Sequence, residues 1–459
     1  MADKTYKVDL LVIGGGSGLN IIQIPSDIKV AIVEKGPMGG TCLNRGCIPS
    51  KIIIHSADVA ELIKKSKDFG INAKINSIDF AKITNRASKL VDEEAKDIER
   101  NIKAAKNIML FKGEGKFISD RTLKVGNNVI KAKKVVIAAG CRPAIPPMPG
   151  LKDVDYITSA EALRLKKQPK TMTILGGGYI AIELAHFYGA LGTKINIIQR
   201  SDVLLSRQDR EIAEKFTSSF RKKYNVLTEH DIIKVWQKGN KFYVLVKDKK
   251  GKEKTIVSDQ LLVALGLTPN TDILDVVKTG VKVNKNGYIV VNDYLQTSNK
   301  TIWALGDIIG TFLLKHTANY EAEIVYYNAL SGQKVKRDYL AMPYAIFSSP
   351  QIAGVGATED ELKEKKIKYI IGKHQYIKTG MGEALQDEEG FVKVLIDPKT
   401  KKFLGCHILG TDASTLIHEI IVAMRNNLTA DQVLNTIHIH PALSEVVQRA
   451  VNNALTQLQ

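Results

Sequence analysis

The sequence predicts an α/β chain built from two Rossmann-like βαβ units and a C-terminal α+β part. Three observations predict it. An apolar strand pattern runs into glycines at Gly14–Gly18 and again at Gly176–Gly178, each time followed by a helical stretch. Short apolar runs ending in small residues recur at Val135–Gly140, Leu261–Gly266 and Ile302–Asp307. From about Tyr339 the character changes to strand, helix, long strands with a turn at Asp397–Lys401, then two helices.

The first glycine turn, Gly14-Gly15-Gly16-Ser17-Gly18, follows the apolar strand Leu10–Ile13, and Glu34 ends the next strand, Lys29–Val33. Strand, glycines, helix and a later acid form a dinucleotide-binding fingerprint. Gly14, Gly16 and Gly18 let a pyrophosphate approach the backbone, and Glu34 can bond a ribose hydroxyl. Leu19 stands where a third glycine or alanine is expected, so it should push helix and strand apart or shift their register. Pro25 should end the helix early, leaving a crossover near the minimum for a parallel pair.

The second turn, Gly176-Gly177-Gly178-Tyr179-Ile180-Ala181, follows Met172–Leu175 and matches better, because Ala181 is an accepted third residue. Its partner strand, Lys194–Ile198, ends in Gln199-Arg200-Ser201 and not in an acid. A guanidinium without a carboxylate suits a 2′-phosphate, which leans toward NADPH.

Two such turns in one chain of 459 residues give a layout of segments. Residues 1–150 form the first dinucleotide-binding domain and 151–270 the second. Residues 271–337 return to the first, and 338–459 make a third unit.

Composition narrows the function. Apolar residues at 44% and charged residues at 25% are those of an ordinary globular chain. No apolar run approaches the roughly 18 residues that span a bilayer. Met1–Lys7 lacks the order of a signal peptide, so a cytoplasmic location and no membrane partner are expected. The net charge of +18 raises nucleic acid as a partner, but the lysines are dispersed. Their clusters, Lys247–Lys254 and Lys363–Lys368, read as solvated turns or helix ends without a nucleic-acid motif. No nucleic-acid role is expected.

Of the four cysteines, Cys42 and Cys47 lie five residues apart in Gly39-Gly40-Thr41-Cys42-Leu43-Asn44-Arg45-Gly46-Cys47-Ile48-Pro49-Ser50-Lys51. They can meet if the chain curls into one helical turn or a tight loop. A disulfide closing so small a ring can open without unfolding the protein. A helix N-terminus and Lys51 would favour the reactive thiolate. Cys141 and Cys406 stand alone, so a structural metal site is not expected. Redox work is the reading that remains.

With those residues in place, Gly39–Lys51 closely resembles the redox segment of the class I pyridine nucleotide-disulfide oxidoreductases, and its ending looks most like dihydrolipoamide dehydrogenases. The resemblance extends over Val136–Pro143 (VIAAGCRP), Gly176–Glu183 (GGGYIAIE), Leu262–Asp272 (LVALGLTPNTD), Ile302–Asp307 (IWALGD) and His438–Glu445 (HIHPALSE). It implies FAD and NAD or NADP as cofactors, a homodimer joined through the C-terminal domain, and a small disulfide or dithiol substrate. A lipoyl domain of a 2-oxoacid dehydrogenase complex would be a macromolecular form of that substrate.

By the same resemblance, Cys42 attacks substrate and Cys47 lies against the flavin. Lys51 and Glu183 form the ion pair near flavin N5. His440 is the catalytic base, oriented by Glu445 and acting on the other subunit. Gly14, Gly16, Gly18, Glu34, Thr41, Lys51, Gly140 and Asp307 would hold FAD; Gly176, Gly178, Tyr179, Arg200 and Gly266 would hold the nicotinamide nucleotide. Ala139 stands where such enzymes usually have Thr, and Leu267 where an Arg is common. Mercuric reductases would carry vicinal cysteines near the C-terminus, and Val451–Gln459 has none.

The expected activity is therefore oxidation of dihydrolipoamide by NAD through FAD and the Cys42–Cys47 pair. The alternatives are an NADPH-dependent reductase of a low-molecular-weight disulfide, of glutathione or mycothione reductase type, and a non-catalytic flavin-binding paralogue.

Overall fold

The computed structural model describes residues 3–22 and 27–458 and divides into two compact units. The first comprises Met1–Ile52, Ala81–Ala144 and Gly266–Asp338. Its parallel sheet runs in the order Ile108–Lys112, Val30–Glu34, Lys4–Ile13, Asn128–Ile137, Ile302–Ala304. The strands are rich in Val, Ile and Leu on both faces, and Leu10, Leu11 and Val12 are all fully buried. That continuous burial belongs to a sheet covered on both sides. The strand Asn128–Ile137 pairs parallel with Lys4–Ile13 and with two further strands: its first half antiparallel with Thr122–Val125 and its second half parallel with Ile302–Ala304.

Ile13, Val33, Ile137 and Ala304 end in register at one edge of this sheet. Gly14, Gly140 and Asp307 follow them, so the glycine turn opens outside the carboxyl ends of the strands, where such sheets bind ligands. The long helix Phe80–Ala104 lies mostly in this unit and gives Val91 and Ala95 to a cluster with Leu43.

The first crossover departs from the expected helix. Among the described residues the chain after the glycine turn makes only a 3-10 segment, Ser17–Ile21. Three residues per turn change which side chain faces the sheet. Gly18 takes the close position: a Cβ there would lie 2.9 Å from the Ala138 Cβ and 3.0 Å from a Val12 methyl. Leu19 is half-buried and packs on the core. The expected splaying or slip therefore does not occur, and Leu10 to Ile13 pair without a break with Val30 to Val33. Pro25, expected to stop the helix, lies outside the described residues.

The second unit comprises Ile53–Phe80, Ile145–Leu265 and Tyr339–Gln459. A parallel sheet of Asn225–Leu227, Lys194–Ile198, Thr171–Leu175 and Gln260–Val263 is followed across its glycine turn by a full helix, Tyr179–Ala190. An antiparallel sheet of three strands, His230–Lys238, Lys241–Asp248 and Glu253–Ser258, accompanies it.

The C-terminal segment forms a five-stranded antiparallel sheet in the order Pro343–Ile346, Gln351–Gly356, Phe403–Gly410, Phe391–Ile396, Ile370–Gln375. Asp397 closes the expected turn by accepting from the Lys399 and Thr400 amides. Three helices follow it where two were expected, because a Thr429–Gln432 capping box starts the short helix Ala430–Leu434 between Ala413–Arg425 and Ser444–Leu455.

One feature of this unit runs against ordinary burial. Lys393, on the strand Phe391–Ile396, is 1% exposed. Its Nζ lies 3.0 Å from the Asp209 carboxylate, which is itself fully buried, 2.6 Å from Glu359 and 3.3 Å from Glu211. Asp209 precedes the helix Arg210–Lys223 without capping it through its side chain. Its carboxylate goes to Lys393 and to the Glu359 amide instead. A lysine so deeply placed is tolerable only because several carboxylates surround it.

Candidate active site

The segment holding the two neighbouring cysteines folds as a short helix, Gly40–Arg45, a break at Gly46, and a 19-residue helix, Cys47–Lys65. Two buried side chains hold the break. Leu43 packs on Val91 and Ala95, and the Asn44 amide donates to the carbonyls of Met38 and Gly40 at 2.8 and 2.9 Å. Alternate residues then face outward. Cys42 is half-buried, Cys47 is exposed, and their side chains hydrogen-bond to each other. The two thiols that the spacing predicted to meet do meet.

The expected thiolate bias is reversed at Cys42. Its hydrogen bond to Cys47 raises its thiol above the ordinary range, as do burial and the Cys47 charge, while Lys315 and the Cys47 amide pull it down. In the dithiol state the proton is therefore held between the pair, and a base that accepts it becomes necessary.

This pair sits beside the first glycine turn. The Gly39 amide donates to the Gly15 carbonyl at 2.7 Å, and a Cβ on Gly40 would come within 2.7 Å of the Gly16 Cα. At Gly14, φ is +110°, and a Cβ there would strike the Ala138 carbonyl at 2.3 Å, so only glycine fits. Glu34 accepts from the Gly15 and Gly36 amides at 2.6 Å each. Its carboxylate keeps lone pairs for a ribose hydroxyl.

Asp307 lies in the 3-10 turn Gly306–Ile309 that follows the strand Ile302–Ala304, with its acid pushed up to about 6 by burial, against the pull of Lys315. The Cys141 thiol meets the Asp307 carbonyl at 3.3 Å, and burial pushes that thiol up to about 12. Cys141 is thus held protonated at neutral pH, its thiol meeting a backbone carbonyl and not a second thiol. Thr41 is exposed on the short helix, Lys51 lies one turn beyond Cys47 and donates to Ser50, and space is open beside Gly140.

In the second unit, Gly176 repeats the geometry of Gly14, with φ +108°. Open space lies beside Gly178, and Tyr179 begins the helix there at 38% exposure. Glu183, one turn on, is buried and accepts from the Phe347 amide at 3.1 Å. Arg200 is exposed just after the strand Lys194–Ile198. Beyond it the Ser201 hydroxyl meets that of Ser206 at 3.4 Å, which folds the loop so that exposed Arg207 follows the same hydroxyl pair. The neighbouring acid, Asp202, is taken by Arg210 at 2.6 Å.

His440 and Glu445 are also brought together. The ring Nδ1 lies 2.9 Å from the Glu445 carboxylate, whose other oxygen accepts from the Ala442 amide at 3.1 Å. These bonds hold the Glu445 acid below its usual range, so it stays ionised and fixes the imidazole. Glu445 is 8% exposed and His440 75%, so the working edge of the ring faces out. His438 is tied to Glu419 at 2.8 Å.

The segments that carry these adjoining thiols, the glycine turns and the oriented histidine match a known family. A model described as pyridine nucleotide-disulphide oxidoreductase matches residues 8–322, and its dimerisation domain matches residues 342–451. The chain belongs to the pyridine nucleotide-disulphide oxidoreductases. Members of this family are FAD-dependent and use NAD(P)H.

The mycothione reductase of Mycobacterium tuberculosis is 36% identical over 98% of this chain and 99% of its own. The dihydrolipoyl dehydrogenase of Geobacillus stearothermophilus is 34% identical over 99% and 98%. The mercuric reductase of Staphylococcus aureus is 34% identical over 96% of this chain and 81% of its own. Among solved structures, the HOCl-induced flavoprotein disulfide reductase RclA of Escherichia coli superposes with a TM-score of 0.86 at 26% identity, over 98% of this chain and 100% of that one.

Among the described residues no helix is long and apolar enough to cross a membrane, and no group of three or more His, Cys, Asp or Glu is arranged to hold a metal. Three features of the site escaped the sequence reading: the Lys315 ammonium near Cys42, the Ser201–Ser206 contact, and the thiol of Cys141 beside Asp307.

Proposed function

We propose that this oxidoreductase works as an NADPH-dependent reductase of a low-molecular-weight disulfide. The observation that carries the reading is the loop after the strand Lys194–Ile198. Arg200 and Arg207 flank in sequence a joined pair of hydroxyls, and the nearby acids Asp202 and Glu229 are already paired with Arg210 and Lys249. Two cations and hydroxyls without a free carboxylate suit a 2′-phosphate and repel nothing on it.

FAD fits the first unit: the turn at Gly14–Gly18, Glu34, Thr41 and Asp307 would hold it, with open space beside Gly140. Bound there, it supplies the means to pass an electron pair from nicotinamide to sulfur. The chain's own residues do the rest. With the pair reduced, the Cys42 thiolate attacks one sulfur of the substrate disulfide. That bond breaks, and the departing thiolate takes a proton from the His440 imidazolium, kept in orientation by Glu445. The Cys47 thiolate then attacks Cys42, closing the internal disulfide and releasing the second substrate sulfur as a thiolate that takes its proton from solvent.

His440 projects from a strongly exposed stretch, with Ile437 97% and Ile439 75% exposed. A second copy covering these isoleucines would bring its His440 to this chain's Cys42, and a homodimer is part of the proposal.

Steady-state kinetics test the cofactor assignment. The protein should turn over NADPH with higher kcat/KM than NADH, and Arg200→Ala should raise KM for NADPH about 10- to 100-fold while leaving NADH little changed. A preference for NADH that Arg200→Ala leaves intact would overturn it. A second reading, dihydrolipoamide dehydrogenase with NAD, is favoured by Gly46–Lys51 (GCIPSK) and His440–Glu445 (HPALSE). Lipoamide-dependent turnover with NAD would select it.

A further inference from the structure

Rossmann units hold a pyrophosphate partly through the positive end of a helix, worth about half an elementary charge. The second glycine turn here opens such a helix, Tyr179–Ala190, but among the described residues the first opens only the 3-10 segment Ser17–Ile21, which ends at Ile22. So short a segment sums few peptide dipoles. The FAD-side turn is therefore short of positive charge, and something else must meet the pyrophosphate.

Lys315 is placed to do so. It is the first residue of the 15-residue helix Lys315–Ala329, where a cation opposes the macrodipole and an acid would be favoured. Its Nζ donates to the Ser17 hydroxyl at 2.9 Å, inside the glycine turn. Among the described residues no carboxylate lies within salt-bridge distance of it, although it is partly buried. One turn further along the same helix, the Asn319 side-chain oxygen accepts from Ser17 at 3.0 Å and from Asn20 at 3.1 Å. These bonds fasten the shortened crossover to the helix and fix the ammonium against the turn. A partly buried cation bonded to a neutral hydroxyl and set at a positive helix end, with Asp307 acting on it only from beyond contact, is incompletely balanced until an anion arrives.

We infer that Lys315 supplies the charge that neutralises the FAD pyrophosphate at the Gly14–Gly18 turn, in place of the missing helix. The inference rests on the reading of the first unit as the FAD site. It assigns Lys315 to cofactor retention, and the effect of its charge on Cys42 is secondary.

Release of FAD from the purified holoenzyme, followed by flavin fluorescence as KCl is raised, tests it. Lys315→Gln should weaken retention about 10- to 100-fold and flatten the salt dependence. Lys315→Arg, which keeps the charge, should behave close to wild type and controls for folding. If Lys315→Gln keeps FAD as wild type does, the inference is overturned. It is equally overturned if that variant changes only the rate of Cys42 alkylation in the reduced enzyme. A wild-type protein that carries no flavin would sink the FAD reading itself; flavin held equally by both proteins would sink this inference alone.

Discussion

Replacing Cys42 with Ser should lower disulfide-dependent turnover roughly a thousandfold or more, and Cys47→Ser should do the same. The two losses arise at different steps. Without Cys42 no sulfur attacks substrate, so no mixed disulfide forms. Without Cys47 the mixed disulfide forms but has no partner to resolve it, and Cys42 stays capped. Mass spectrometry after exposure of the reduced variants to a small disulfide should therefore show a stable adduct on Cys47→Ser and none on Cys42→Ser. Their hydrogen bond and the half-buried setting of Cys42 support this division, because the exposed partner would not need the shelter of a break between two helices. Equal adduct formation on both variants, or undiminished turnover in either, would remove the assignment.

The second large effect concerns stability. Lys393→Met removes the cation that, among the described residues, forms the salt bridge to the fully buried Asp209 carboxylate, and leaves that charge without it. Breaking a buried pair from one side costs about 3–5 kcal/mol. In a unit of this size that corresponds to a fall in melting temperature of roughly 10 °C. Asp209→Asn should cost less, since Lys393 keeps Glu359 and Glu211. Differential scanning calorimetry of the two variants reads the order directly. A Lys393→Met protein that melts with wild type would show that the carboxylates relax toward water, and the network would then have no structural weight.

Much of this molecule could be read before its structure. The glycine turns and the strands entering them were legible because parallel strands must be apolar on both faces and a pyrophosphate-type turn needs glycine at φ values that few other residues adopt. The Cys42–Cys47 contact was legible because the pair is short-range in sequence, so spacing limits the geometry; the His440–Glu445 contact was legible through the resemblance of His438–Glu445 to a family segment, with which its short spacing is compatible.

What escaped was either long-range or locally contradictory. Lys315 follows Thr311-Phe312-Leu313-Leu314, a stretch without a motif, and acquires meaning only when its helix packs on Ser17. Lys393 is the one charge in the apolar run FVKVLI, and its partner Asp209 reaches it from a helix start far away in the chain. The first helix was misread for a different reason. The fingerprint assumes α-helical winding after the glycines, and a tighter 3-10 turn moved the close contact from residue 19 to Gly18, removing the clash expected of Leu19.

The central claim is that Cys42 and Cys47 alternate between disulfide and dithiol. Thiol titration in denaturant measures this most directly, because the chain has four cysteines and Cys141 and Cys406 stand apart from the pair. The oxidised enzyme should yield two titratable thiols, and the enzyme reduced by its nicotinamide cofactor should yield four. An unchanged count before and after reduction would contradict the account.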